Sequence, residues 1–183
     1  MSTQHVRLAV ARLNQNNQPP IQMGFSKWLR ATLAVAVSSF SFAGQDEKVW
    51  DVAAAKDSAG NVRRIVRYRS EMPNWVQRPS FGALVVISWP NVNQAGMPTK
   101  RESELHYAFE DGLQAAEERN RAGVLAAVVT GDGKVEWYYL ARSHDEFMRV
   151  LNEALQGKPR LPITISLEQD PEWSMYRSLA GRR

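Results

Sequence analysis

The stretch VLAAVVTGDGKVEWYYL, residues 124–140, decides the fold. Val124 to Thr130 is an apolar run short enough for a strand, and Gly131-Asp132-Gly133 is a tight turn. Lys134 to Leu140 then returns with Val135, Trp137 and Tyr139 alternating, so the segment predicts an antiparallel hairpin. Helices are predicted on both sides of it. Upstream, Thr99 and Glu102 have the spacing of a capping box, and Leu105, Phe109, Gly112, Leu113 and Ala116 recur at helical intervals to about Arg121. Downstream, Ser143 and Glu146 repeat that spacing ahead of Phe147, Val150, Leu151, Ala154 and Leu155, and Gly157 and Pro159 end the helix.

Further out, Phe81 to Trp89 is a continuous apolar run stopped by Pro90, the pattern of a strand central in its sheet. Ile163, Ile165 and Leu167 alternate in a last strand. Asp170 and Pro171 then predict the cap and first position of a short terminal helix carrying Trp173, Tyr176 and Leu179. Before all of these, Val49 to Lys56 and Val62 to Arg69 form a hairpin around the turn residues 57–61. The order β-β-β-α-β-β-α-β-α predicts an α+β fold. From the third strand onward it has the ferredoxin-like split β-α-β arrangement, with an added N-terminal β-hairpin and a short C-terminal helix.

Charge divides the chain. Residues 1–43 contain Arg7, Arg12, Lys27 and Arg30 and no acidic residue, so they hold all of the formal +4; residues 44–183 balance 19 basic against 19 acidic side chains. A neutral domain has no overall field to hold a polyanion, and no nucleic-acid partner is expected. Residues 23–43 have the layout of a secretory signal peptide. Lys27 and Arg30 lead an apolar stretch from Ala31 to Val37, and small residues follow to a cleavage site between Ala43 and Gly44. Residues 1–22 read as a disordered or untranslated leader ahead of a start at Met23, and residues 44–183 as a single domain. A periplasmic or secreted location is therefore expected, with no stable membrane span after cleavage, because the run Ala31–Ala43 is too short to cross a bilayer. With no cysteine in the chain, disulfides, thiolate metal sites and cysteine nucleophiles are excluded.

Candidate chemistry is sparse. His106 has Glu102 four residues before it and Glu110 four after, one stripe on which a carboxylate–imidazole–carboxylate set would relay a proton or hold a divalent ion. The plainer reading is a solvated outer helix face, with Glu102 already spent on the cap. His144 and Asp145 sit in a first helical turn, where an acid complements the helix dipole. Gly-x-Ser-x-Gly and His-Glu-x-x-His are absent, and Gly131-Asp132-Gly133 joins two strands instead of opening a helix, so it is no nucleotide loop. Arg63, Arg67 and Arg69 share one face of a strand with Arg64 on the other; with Tyr68 nearby such a strand can contact phosphate or a polyanionic envelope polymer, and the plainer reading is an exposed or edge strand protected from aggregation by its charge. Trp50 and Trp137 fall on apolar strand faces and are expected in the core. Trp75, Trp89, Trp173 and Tyr176 are the candidate binding residues, for an unknown protein or small ligand. No catalytic residue, cofactor or metal is assigned, and a monomer or homodimer is expected.

Asp170-Pro171-Glu172-Trp173-Ser174-Met175-Tyr176 resembles the closing Asp-Pro-x-Trp-x-x-Tyr signature of the bacterial domain-of-unknown-function 695 family. Leu84 to Trp89 with Gly96-Met97-Pro98 and Glu102, and the run Gly133 to Tyr139, are similar to its middle strand, helix entry and aromatic hairpin strand. The likeness spans about residues 48–180. It implies a small α+β fold related to that of a bacterial protein inhibitor of ribonuclease E, and lends no catalytic residues. Members often lack a signal, so the leader is a departure from the pattern. The signal, the neutral domain and the missing catalytic set point first to a non-enzymatic binding or accessory module of the bacterial envelope; the alternatives are a hydrolase-type enzyme using His106 with Glu102 or Glu110 and, as the resemblance implies, a cytoplasmic ribonuclease regulator.

Overall fold

The computed structural model describes residues 49–94 and 96–181. The leader, the signal segment and the Ala43–Gly44 junction lie outside the described residues. Six strands form one antiparallel sheet, and three α-helices accompany it among the described residues. In chain order the elements are β1 (Trp50–Lys56), β2 (Val62–Arg69), β3 (Ala83–Pro90), α1 (Lys100–Asn120), β4 (Gly123–Gly131), β5 (Lys134–Ala141), α2 (His144–Leu155), β6 (Thr164–Gln169) and α3 (Ser174–Leu179). The strands lie in the order β1-β2-β4-β5-β3-β6. β3 is therefore interior, flanked by β5 and β6. β2 is interior as well, between β1 and β4. That corrects the edge-strand reading of its arginines: the edge on that side is β1, because the first hairpin adds to β4 through its second strand.

Alternation along the strands sends side chains to two faces. Val85, Ile87, Trp89, Val135, Trp137 and Tyr139 face α1 and α2, where Phe109, Leu113, Phe147 and Leu151 complete the main core. On the opposite face Leu84, Val124, Ala126, Tyr138 and Leu140 are covered by Val76, Phe81 and the residues of α3. Both Leu125–Ala127 and the β5 residues opposite are buried, yet the pairing slips there. Leu125 lies opposite Tyr139 and Ala127 opposite Tyr138, which leaves Ala126 as a bulge.

Local signals account for the ends of the elements. The Thr99 hydroxyl accepts from the Glu102 amide, and the Glu102 carboxylate accepts from the Thr99 amide at 2.8 Å, so the first capping box is complete. Ser143 accepts from the Glu146 amide at 3.2 Å, the first half of the second box. The terminal helix begins later than its sequence predicts. Asp170 still caps it, accepting from the Ser174 amide at 2.7 Å and the Met175 amide at 2.9 Å, but Pro171 lies in the preceding turn and packs against Gly82. Trp173 takes a left-handed backbone (φ 54°) to make that turn.

The hairpin at 131–134 is held from outside. Asp132 and Gly133 both have positive φ, as a two-residue turn matching the sheet twist requires. The loop after β3 docks on it through Asn91 N–H to the Gly133 carbonyl and Gly133 N–H to the Gly96 carbonyl. A Cβ at Gly133 would fall 1.8 Å from the Gln94 carbonyl oxygen. Gly133→Ala is therefore expected to lower stability by about 2–4 kcal/mol, measured by urea unfolding.

Candidate functional site

Helix α1 buries a stripe that is half polar: His106, Phe109, Glu110, Leu113, Ala116 and Glu117. Leu105, expected on the apolar stripe, is instead 51% exposed. The outer-face reading of His106 and Glu110 is corrected in the same way, since the contacts of Glu110 with Arg67 and Trp137 turn this stripe of the helix toward the sheet. Each buried polar group has a different environment. Glu110 is bridged by the Arg67 guanidinium from β2 and accepts the Trp137 indole N–H at 2.9 Å. Glu102 stays at the helix start, taking the Val92 amide as well as Thr99, and these hydrogen bonds hold its carboxyl below the ordinary range.

His106 is 5% exposed, with its ring edge-on between Trp89 (5.0 Å between centroids) and Trp137 (5.7 Å). Both ring nitrogens are buried without a hydrogen-bond partner among the described residues. Burial depresses its pKa, and the Glu102 charge only partly offsets this. The imidazole thus offers no nitrogen to a substrate, and the Glu102–His106–Glu110 stripe is divided among a cap, an aromatic cage and an ion pair. No group of three or more His, Asp or Glu side chains among the described residues is placed to hold a metal ion.

Glu117 lies two turns beyond Glu110 and is 7% exposed. Its Oε1 accepts the Leu125 amide at 3.0 Å, beside the β4 bulge, while Oε2 is buried without a partner among the described residues. Burial raises its pKa to about 7, against the opposing pull of that amide and of Arg69. One wall of Glu117 belongs to a very small apolar cavity of about 10 Å³ that it shares with Tyr139. The other belongs to an open polar cleft of about 350 Å³ lined by Arg69, Pro73, Trp75, Gln114, Glu118 and Arg121. The cleft forms because α1 ends over the mouth of β2, with the loop after β2 forming the far side.

In the cleft, the Arg69 Nε donates to the Leu125 carbonyl at 2.8 Å, and its guanidinium lies 4.8 Å from the Trp50 ring. The Arg121 guanidinium sits 5.6 Å over the Trp75 ring. Arg121 is also the C-cap of α1, at φ 50° and ψ 30°. This left-handed position is one that glycine fills most readily.

The four aromatic candidates separate. Trp75 is half-buried and lines the cleft. Trp89 is buried against His106 and Phe109. Trp173 donates its indole N–H to the Phe81 carbonyl at 2.7 Å, and the buried Tyr176 donates its hydroxyl to the Arg69 carbonyl. The last two fasten the C-terminal segment to the ends of β2 and β3. The sequence reading does not single out Glu117 or Arg121, and it takes Arg69 only with the other arginines of its strand. An acid in the Phe109–Leu113–Ala116 stripe and an arginine where a helix-ending glycine belongs were the available signals.

A family model described as Family of unknown function (DUF695) matches residues 44–179, and the chain belongs to that family. No curated protein and no solved structure matches it.

Two pH effects follow. Glu117 holds its proton to about pH 7 in the folded state but to about 4.5 when unfolded. Its contribution to stability is therefore full below about 4.5 and is lost as pH rises through 7, by ~3 kcal/mol. Glu117→Gln should flatten that decline and be the more stable protein at pH 8, read by urea unfolding from pH 5 to 8. His106 has the opposite sign: its depressed folded pKa makes stability fall as pH drops below the unfolded value near 6.5. His106→Phe, which fills the cage without nitrogens, should unfold at higher urea than the parent at pH 5 and lose that acid-side slope.

Proposed function

We propose that this member of the family is a non-enzymatic ligand-binding or accessory module of the bacterial envelope. The observation that carries the reading is the cleft at the end of α1, where Trp75, a residue singled out from sequence, meets two guanidiniums and a buried carboxyl. A polar concavity with one aromatic wall suits recognition of a small ligand. Among the described residues that line it no nucleophile stands with a base, and His106 is enclosed elsewhere, so the geometry favours binding over the hydrolase alternative.

Export rests on residues 23–43, whose charged start, apolar stretch and small residues before Gly44 have the form of a cleavable signal. No described helix is long and apolar enough to cross a membrane. The charge balance of residues 44–183 supports a partner other than nucleic acid. For the fold, the antiparallel order β4-β5-β3-β6, with α1 and α2 packed on one face, supports reading β3 to β6 as a ferredoxin-like split β-α-β unit extended by the β1–β2 hairpin.

Fractionation of a C-terminally tagged chain tests the address. A form beginning at Gly44 is expected in the periplasm, by mass spectrometry of its N-terminus. A full-length form confined to the cytoplasm overturns the envelope role and favours the regulator alternative.

A further inference from the structure

We propose that the cleft bounded by Arg69, Trp75, Glu117 and Arg121 binds a small monocarboxylate with a flat apolar body, its carboxylate on Arg121 and its body against Trp75. This rests on the cleft being the binding site but not on the protein's address.

The first argument is the position of Arg121. A non-glycine residue at the left-handed end of a helix is disfavoured, and glycine there would relieve the backbone. Its guanidinium nevertheless projects over Trp75 into the cleft, and among the described residues no carboxylate takes it as a salt-bridge partner. Backbone conformations of this kind collect at binding sites, where the side chain's task outweighs its local cost. A planar guanidinium beside an aromatic ring suits a planar carboxylate, which it meets with two parallel hydrogen bonds.

The second argument is charge. Arg69 and Arg121 bring two positive charges to the cleft and Glu118 brings one negative. The Glu118 carboxylate already accepts the Gln114 amide at 3.2 Å. Glu117, with its buried and unpartnered Oε2, is uncharged whenever protonated, and the cleft then carries one net positive charge. That matches a monoanion. When Glu117 ionises, the balance falls to zero and the anion is repelled from the cleft wall. The charged and titratable groups near Glu117 are Arg69 from β2, Glu110 and Glu118 from α1, Arg121 at the end of α1, and Tyr139 from β5. Tyr139 stays neutral, since burial pushes its hydroxyl well up. Arg69 attracts and the two acids repel, so proton uptake at Glu117 favours the anion.

The test titrates the purified chain with benzoate, benzamide and benzylamine, following Trp75 and Arg121 side-chain N–H resonances and calorimetric affinity. Benzoate is expected to saturate and to shift both resonances, while the neutral amide and the amine do not. Its affinity should fall several-fold from pH 6 to pH 8.5, and Glu117→Gln should abolish that dependence. Arg121→Gly is the informative variant because glycine suits the backbone: urea stability should rise while benzoate affinity drops roughly tenfold. Benzylamine binding through Trp75 would keep the cleft as a ligand site and overturn the monoanion class. Saturation by benzoate at unchanged affinity in Arg121→Gly would overturn the assignment to Arg121. No saturable binding by any of the three would overturn both the class and the cleft as a small-ligand site.

Discussion

The Glu110 carboxylate sits where α1, β2 and β5 meet. It receives a guanidinium from Arg67 on one oxygen and the Trp137 indole N–H on the other. Trp137 is wholly buried, and its indole N–H needs an acceptor in a place that water does not reach. The carboxylate supplies it, and the charge thereby brought into the core is in turn offset by Arg67. A buried acid without its partner would be costly, so the register of β2 against β4 and the rotation of α1 are tied to one another. The same rotation turns His106 toward Trp89 and places Glu117 over the bulge of β4. The hairpin β1–β2 is thereby joined to α1 by an ion pair as well as to β4 by its ladder of hydrogen bonds.

The bulge at Ala126 and the end of α1 form a second linked unit. A bulge disturbs the strand ladder and leaves a backbone amide needing an acceptor. Glu117 accepts from Leu125 N–H while Arg69 donates to the Leu125 carbonyl, so one residue of β4 is held by an acid from the helix and a base from the neighbouring strand. Both side chains then stand at the inner wall of the cleft, with Trp75 and Arg121 at its outer side. Structural support and ligand chemistry are thus shared by the same groups. The C-terminal Asp-Pro-x-Trp-x-x-Tyr segment closes the opposite face in a comparable way. Asp170 caps α3, Trp173 holds the Phe81 carbonyl and Tyr176 holds the Arg69 carbonyl. Tyr176 and the cleft therefore lie at two sides of one residue, Arg69.

Much of this is written locally in the chain. Thr99 and Glu102 place the start of α1, Gly131-Asp132-Gly133 places the β4–β5 turn, and the alternation of Val135, Trp137 and Tyr139 marks the core face of β5. These signals act over a few residues, between neighbours whose geometry the backbone dictates. The α+β class and the element order follow from them. The ends of α3 are less legible, because Asp170 caps amides four and five residues ahead across a turn that includes Pro171 and a left-handed Trp173.

By itself, the sequence determined the order of strands and helices and most of their boundaries, because caps, turns and periodicity are short-range physics. It also determined that residues 44–183 carry no net charge and that cysteine chemistry is excluded. Only the tertiary structure decided that β2 is interior, that His106 is caged between tryptophans, and that Trp75 reaches a cleft while Trp89 and Tyr176 are buried. Those outcomes depend on which distant strand becomes a neighbour and on how a helix is rotated about its axis. Arg67 and Glu110 are 43 positions apart, and only folding brings the guanidinium to the carboxylate.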